Sequence, residues 1–167
     1  MISCSSRICP NNCLRNYARN FPNIVTATIR LREFHYPEDY AAALHLWEIA
    51  GAGVHVDRSD KTAEIQKKLQ RDPDLFLVAE VGNRLVGTVI GGFDGRRGMI
   101  YHLAVDPDYR QHGVGGLLMD EIEGRLREKG CVRSYLMVTT ENETAIHFYE
   151  KRGWSQMDGI YTYGKDL

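Results

Sequence analysis

No apolar run in this chain approaches the roughly 20 residues that a membrane-spanning helix needs. The longest, such as Leu75–Ala79, are strand-sized. No excess of one charge sign is present either: 21 Lys and Arg stand against 22 Asp and Glu, a formal net charge of −1, mixed along most of the chain. Without a concentrated basic surface, neither nucleic acid nor an anionic membrane is expected as a main partner. Cysteine is scarce, and Cys4, Cys9 and Cys13 sit at spacings that match no zinc pattern, with no fourth ligand nearby. No metal site is expected. Cys131 follows Gly130 at the entry to an apolar stretch and is expected to be a small buried residue. Acidic residues are absent before Glu33, although Arg7, Arg15, Arg19 and Arg30 all occur there. Residues 1–26 therefore stand apart as a leader or extension. A disordered extension, a start codon assigned too early and an organellar transit peptide all fit this composition. A secretory signal does not, because no apolar core follows the basic residues. A soluble, cytoplasmic protein is expected, with the organellar address as the alternative.

Residues 27–167 carry the patterning of one domain, long enough to bury a core. Thr28–Arg32 alternates as a half-exposed strand does. Pro37–Ala50 places Tyr40, Leu44, Trp47 and Ile49 at roughly helical spacing before Gly51 and Gly53. Ser59 or Asp60 is expected to cap a second helix that buries Ile65 and Leu69 and ends before Pro73. Strands are predicted at Leu75–Glu80, Leu85–Phe93 and Met99–Val105, joined by turns at Gly82-Asn83 and Asp94-Gly95. A helix over Gly113–Lys129 aligns Val114, Leu117, Leu118, Ile122 and Leu126. A strand at Ser134–Val138, a short helix at Thr144–Lys151 and a last strand at Ile160–Lys165 complete the order. The expected fold class is α/β, with helices flanking a mixed, mostly antiparallel central sheet.

The most informative segment is Val105-Asp106-Pro107-Asp108-Tyr109-Arg110-Gln111-His112-Gly113-Val114-Gly115-Gly116, between a strand and a long helix. Its glycines let backbone approach a ligand closely, and a helix N-terminus presents unpaired N–H groups and a positive dipole end. Arg110 can add a charge-assisted contact. A phosphorylated ligand held at its pyrophosphate is the expected occupant, although glycines here also serve ordinary close packing. The P-loop and dinucleotide patterns fit less well, since no Lys-Ser or Lys-Thr follows and the first glycine of the second pattern is missing.

Arg110-x-x-Gly113-x-Gly115 resembles the pyrophosphate signature of the GNAT superfamily of N-acetyltransferases. Tyr101-His102-Leu103-Ala104-Val105 looks like that family's splayed fourth strand. Asn142 through Trp154, with Ala145, Phe148, Tyr149 and Gly153 in place, is similar to its second signature. The resemblance covers residues 27–167, and Asp94–Gly98 with its surroundings further resembles the small bacterial YpeA-type acetyltransferases. It implies the GNAT fold and acetyl-CoA as cosubstrate. It also implies an amine acceptor, small molecule or protein, that attacks directly in a ternary complex. The implied coenzyme contacts are Leu103, Ala104, Val105, Arg110, Gln111, His112, Gly113, Val114, Gly115, Gly116, Asn142 and Tyr149. Homodimers are frequent in the family, and Ile160–Tyr163 is a segment that could pair across chains.

Acetyl transfer needs a neutral amine, a polarised thioester carbonyl and a proton for the departing thiolate. A lysine amine with a pKa of about 10.4 is neutral only about once in 2,500 at pH 7, so a general base matters. A phenol stays protonated at neutral pH, and the family places one here, so Tyr149 is the candidate general acid. Asn142 is expected to cap the short helix, to bond the pantetheine amides, or both. Leu136-Met137-Val138 and Met99 stand where related branches carry a glutamate base. The remaining titratable candidates for the base are His102, His55, Glu33 and Asp57; His102 lies on the strand flanking the reaction site, and an imidazole ordinarily titrates near neutrality. Strand alternation would turn it into the core, with Tyr101 on the opposite face. Trp47, His55, Asp57 and Tyr101 are the candidate acceptor-site residues. A non-catalytic acyl-CoA-binding module is the competing reading, motivated by the missing glutamates.

Overall fold

The residues from Phe76 to Ala79 are all fully buried, which an amphipathic strand would not allow and a strand covered on both faces requires. The computed structural model, which describes residues 28–51 and 53–166, shows how this comes about. Five strands form one sheet in chain order: β1 (Ile29–Glu33), β2 (Phe76–Val81), β3 (Arg84–Phe93), β4 (Gly98–Val105) and β5 (Ser134–Leu136). Pairing is antiparallel from β1 to β4 and parallel between β4 and β5. Helices α1 (Tyr40–Ile49) and α2 (Thr62–Arg71) cover one face. There Ala43, Leu46, Trp47 and Ile65 pack with Phe76, Val78 and Ile90. Helix α3 (Val114–Glu128) covers the other, packing Leu118, Met119, Ile122 and Leu126 against Leu75, Leu77, Ala79, Val89 and Ile100. The fold class is thus the expected α/β one. No described helix is long and apolar enough to cross a membrane.

Helix α3 lies close to the sheet because β3 presents glycine where it crosses. A Cβ on Gly87 would come within 2.9 Å of both Val114 and Leu118, and one on Gly91 within 2.8 Å of Ile122. These glycines are four apart on one strand face, and the side chains they admit are spaced by four along the helix. The two periodicities therefore mesh. Helix α4 (Glu143–Glu150) is docked on α3 through Arg152 to Asp120 and Trp154 Nε1 to Glu123. At the other end, Arg32 makes a bidentate pair with Asp39 at 2.6 and 2.7 Å and also contacts Glu80, tying the entry of α1 to β1 and β2. Burial would raise the Asp39 pKa, but the Arg32 guanidinium and the His35 N–H together outweigh it and hold the carboxyl below its usual range.

Three expectations need correction. Ile160–Lys165 forms no strand; Ile160, Tyr161 and Tyr163 are exposed and pair with no sheet edge among the described residues. The N-cap of α2 is Lys61, not Ser59 or Asp60, because Asp60 belongs to a preceding 3-10 turn, Arg58–Asp60, and its side chain is used elsewhere. β5 stops at Leu136, two residues early, where its pairing with β4 ends at Ile100. The leader reading of residues 1–26, with Cys4, Cys9 and Cys13, lies outside the described residues. Cys131 is half-buried.

Replacing Gly87 by Val forces Val114 and Leu118 away from the sheet. The variant should lose about 1–3 kcal/mol of stability, read as a lower urea midpoint at unchanged slope. A midpoint equal to that of the parent would contradict this packing account.

Candidate functional site

Strand β4 is longer than its partner on one side. β3 accompanies it from Gly98 to Val105, whereas β5 pairs only with Gly98, Met99 and Ile100 before the two parallel strands part. The backbone edge of Tyr101–Val105 that faces away from β3 therefore has no strand partner among the described residues. The same stretch carries a β-bulge. Thr88 pairs with Ala104 and Ile90 with Tyr101, so Val89 alone stands opposite both His102 and Leu103. His102 absorbs the extra residue with φ 47°, a left-handed conformation unusual for anything but glycine. A short polar chain holds it there: Trp47 Nε1 donates to Thr88 Oγ1 at 2.9 Å, and that hydroxyl donates to the His102 carbonyl at 3.2 Å.

At the end of β4 the chain enters a rigid turn. The buried Asp106 carboxylate accepts from the Asp108 N–H at 3.0 Å and from Arg84 at 2.7 Å. The Asp106 N–H donates to Val86 O. Gln111 and Gly113 then adopt positive φ, 63° and 83°, to swing the backbone into α3. Val114, Gly115 and Gly116 open that helix. Their N–H groups have no intrahelical acceptor, whereas the next, that of Leu117, already donates to Gly113 O at 3.0 Å. No acidic residue stands in this first turn, so the end of the helix suits an anion. Gln111 and His112 complete the turn. Arg110 is placed differently from the expectation. Its guanidinium donates to Val105 O at 3.1 Å and to Ala50 O at 2.7 Å, so it ties the end of α1 to the turn.

The bulge also decides what lies beside the open edge. Ile100 and Leu103 both pack with α3, so the alternation slips by one residue and His102 swings toward α1. Its ring stands edge-on to Trp47, centroids 4.6 Å apart at 83°, and Nε2 lies 2.8 Å from Asp60 Oδ1. That contact is short enough for an ion pair but is not aligned as a hydrogen bond. Tyr101 shares this face rather than opposing it: its ring lies 3.5 Å from where a Cβ on Gly92 would stand, and the neighbouring Gly91 faces α3. Tyr101 is 42% exposed, and burial of the rest of its ring pushes the phenol pKa up. Trp47 is buried and braces the site from beneath, which removes it as a contact surface for an acceptor. His55 and Asp57 are exposed on the connection between α1 and the Arg58–Asp60 turn.

On the far side of the opening stands α4. Asn142 caps it, its Oδ1 accepting the Ala145 N–H at 3.1 Å, while its amide nitrogen lies against Gly53. Tyr149 packs between Phe148 and Trp154, with centroids 5.2 and 6.2 Å away. Burial alone pushes its phenol up to about 12, so it carries its proton throughout the neutral range. Among the described residues no cluster of three His, Cys, Asp or Glu side chains is set to hold a metal. Sequence reasoning missed Asp60 and Thr88 as parts of this site. Asp60 reads as a helix cap, and Thr88 as one more β-branched strand residue.

The family model for the acetyltransferase (GNAT) family matches residues 30–154. An acetyltransferase of Pectobacterium atrosepticum is 42% identical over 130 residues, 78% of this chain and 90% of that one. Another, of Sodalis glossinidius, is 38% identical over 139 residues, covering 83% and 96%. Among solved structures, the PaiA N-acetyltransferase of Thermoplasma acidophilum, in complex with coenzyme A, superposes with a TM-score of 0.69. It is 21% identical and covers 80% of this chain and 93% of its own.

The raised Tyr149 pKa has a consequence for stability. A phenol whose folded value exceeds its unfolded value of about 10 stabilises the fold fully below pH 10. That contribution is lost as the pH rises toward about 12. Urea midpoints should therefore fall between pH 10 and 12, and the fall should shrink in Tyr149→Phe. An identical pH dependence in both proteins would contradict the burial of this phenol.

Proposed function

This chain belongs to the acetyltransferase (GNAT) family, and from that premise we propose that it moves the acetyl group of acetyl-CoA to a primary amine. The acceptor is a small molecule or a protein, and its amine attacks directly in a ternary complex. One observation carries the reading. The edge of β4, unpaired among the described residues, leads directly into a glycine turn whose helix N-terminus presents free N–H groups, a setting that suits an anion. An extended amide chain ending in a pyrophosphate is complementary to that pair of features, and the relative from Thermoplasma acidophilum was solved with such a molecule.

In this reading Gly113, Val114, Gly115 and Gly116, with Gln111 and His112, hold the pyrophosphate through backbone N–H groups. Arg110 fixes the turn and the end of α1 instead of reaching a phosphate. Leu103, Ala104 and Val105 offer their open edge to the pantetheine amides. An N–H in this stretch also bonds the thioester oxygen and stabilises the oxyanion. Asn142 keeps α4 in place at the other wall. His102 takes the proton from the acceptor amine as its nitrogen bonds to the carbonyl carbon. Tyr149 gives its phenol proton to the sulfur as the carbon–sulfur bond breaks. The buried phenol keeps its proton throughout the neutral range, so the proton is present when the carbon–sulfur bond breaks. Tyr101, His55 and Asp57 face the acceptor.

The test is acetylation of a mixed library of amines, amino acids, polyamines and peptides, read by mass spectrometry with and without protein. An acetylated product is expected, and Tyr149→Phe should lower kcat by roughly 100-fold while leaving the affinity for acetyl-CoA nearly unchanged. Equal turnover in parent and variant would remove Tyr149 from the mechanism. Binding of coenzyme A without any product would favour a binding module over an enzyme.

A further inference from the structure

One buried carboxylate has no part in that scheme. Asp60 is 4% exposed, and among the described residues no lysine or arginine pairs with it. Its Oδ2 accepts the Asp57 N–H at 2.8 Å, and its main-chain oxygen accepts the Tyr40 hydroxyl at 3.0 Å. Its Oδ1 lies 2.8 Å from His102 Nε2. A carboxylate removed from water without a partner is costly, and here the Asp57 N–H, with the nearby imidazole, offsets the cost. Around His102, α1 contributes Trp47 and, through Asp60, Tyr40; β3 contributes Thr88, and β4 the adjoining Tyr101. The 3-10 turn contributes Asp60, with Asp57 behind it. Among the described residues Asp60 alone places a charge in contact with the ring.

We infer that Asp60 is a positioning residue for His102. The negative charge of its carboxylate, 2.8 Å from Nε2, favours a proton on that solvent-shielded nitrogen and leaves Nδ1 bare as the atom that receives the proton of the acceptor amine. When that proton arrives the ring becomes an imidazolium, and the neighbouring carboxylate stabilises it. The Trp47–Thr88–His102 chain fixes the backbone, the Trp47 ring fixes the plane, and Asp60 fixes the tautomer. The inference rests on the reading of His102 as the base.

Three measurements test it. In the wild-type protein, 15N NMR of the imidazole side chains should show neutral His102 as the Nε2–H tautomer; the Nδ1–H tautomer would overturn the inference. Asp60→Asn keeps the size and removes the charge. It should lower kcat on the order of 100-fold, with KM for acetyl-CoA within about twofold, for the amine identified in the library. His102→Gln should abolish the effect of the second change, so that His102→Gln/Asp60→Asn is no slower than His102→Gln alone. An equal loss in both backgrounds would make Asp60 merely structural. Full turnover in His102→Gln would remove the base reading itself and this inference with it. Turnover lost in His102→Gln but kept in Asp60→Asn would overturn the role of Asp60 alone. Should Asp60→Asn not fold, the wild-type tautomer still decides.

Discussion

β4 shares its whole length with β3 but only three residues with β5, and the consequences of that inequality run through the molecule. Backbone N–H and C=O groups strongly prefer a partner, so a strand edge abandoned halfway is a standing demand for hydrogen bonds. The parting of the strands opens a cleft between β4 on one side and the chain leading to α4 on the other. The bulge at His102 works on the same stretch. It turns one extra side chain toward α1, and without it Leu103 could not join Ile100 in the α3 core. An extended ligand with amide groups can satisfy the edge, and the glycine turn beyond Val105 supplies the anion site where such a ligand would end.

The connection between α1 and the Arg58–Asp60 turn is bound to both walls of this cleft. Arg110 holds Ala50 O from the side of the turn, Gly53 lies against the Asn142 amide at the start of α4, and Asp60 reaches His102 on β4. This connection is therefore fastened to the turn before α3, to the start of α4 and to β4 at once.

The fold was legible where periodicity is strong. The strands before β5 and the long helix α3 fall within a few residues of where their patterns put them, because alternation and the i, i+4 stripe report burial directly. The turn from Val105 to Gly116 was legible because glycine and proline state backbone geometry locally. The last strand was misread: Ile160–Tyr163 has the composition of a strand, but a strand needs a partner edge, and composition does not say whether one is present. The bulge at His102 left no trace in the sequence, since an extra residue in one strand shows only against its partner, Val89. Asp60 was misassigned for a related reason. A carboxylate ahead of a helix reads as a cap, and its contact with His102, forty-two residues away, is set by tertiary packing. Arg110 stands in its signature position, but its bond to the Ala50 carbonyl at the end of α1 cannot be anticipated from local spacing.

The central claim is that the open edge of β4 and the N-terminus of α3 together receive one ligand. Backbone amide NMR of the full chain during titration with coenzyme A tests it most directly. The account predicts that the amides of Leu103–Val105 and Gly113–Gly116 shift together and saturably, while those of β1 and β2 stay in place. Shifts confined elsewhere, for instance to a hollow lined by Glu123, Arg127, Arg133 and Trp154 beside α3, would contradict it.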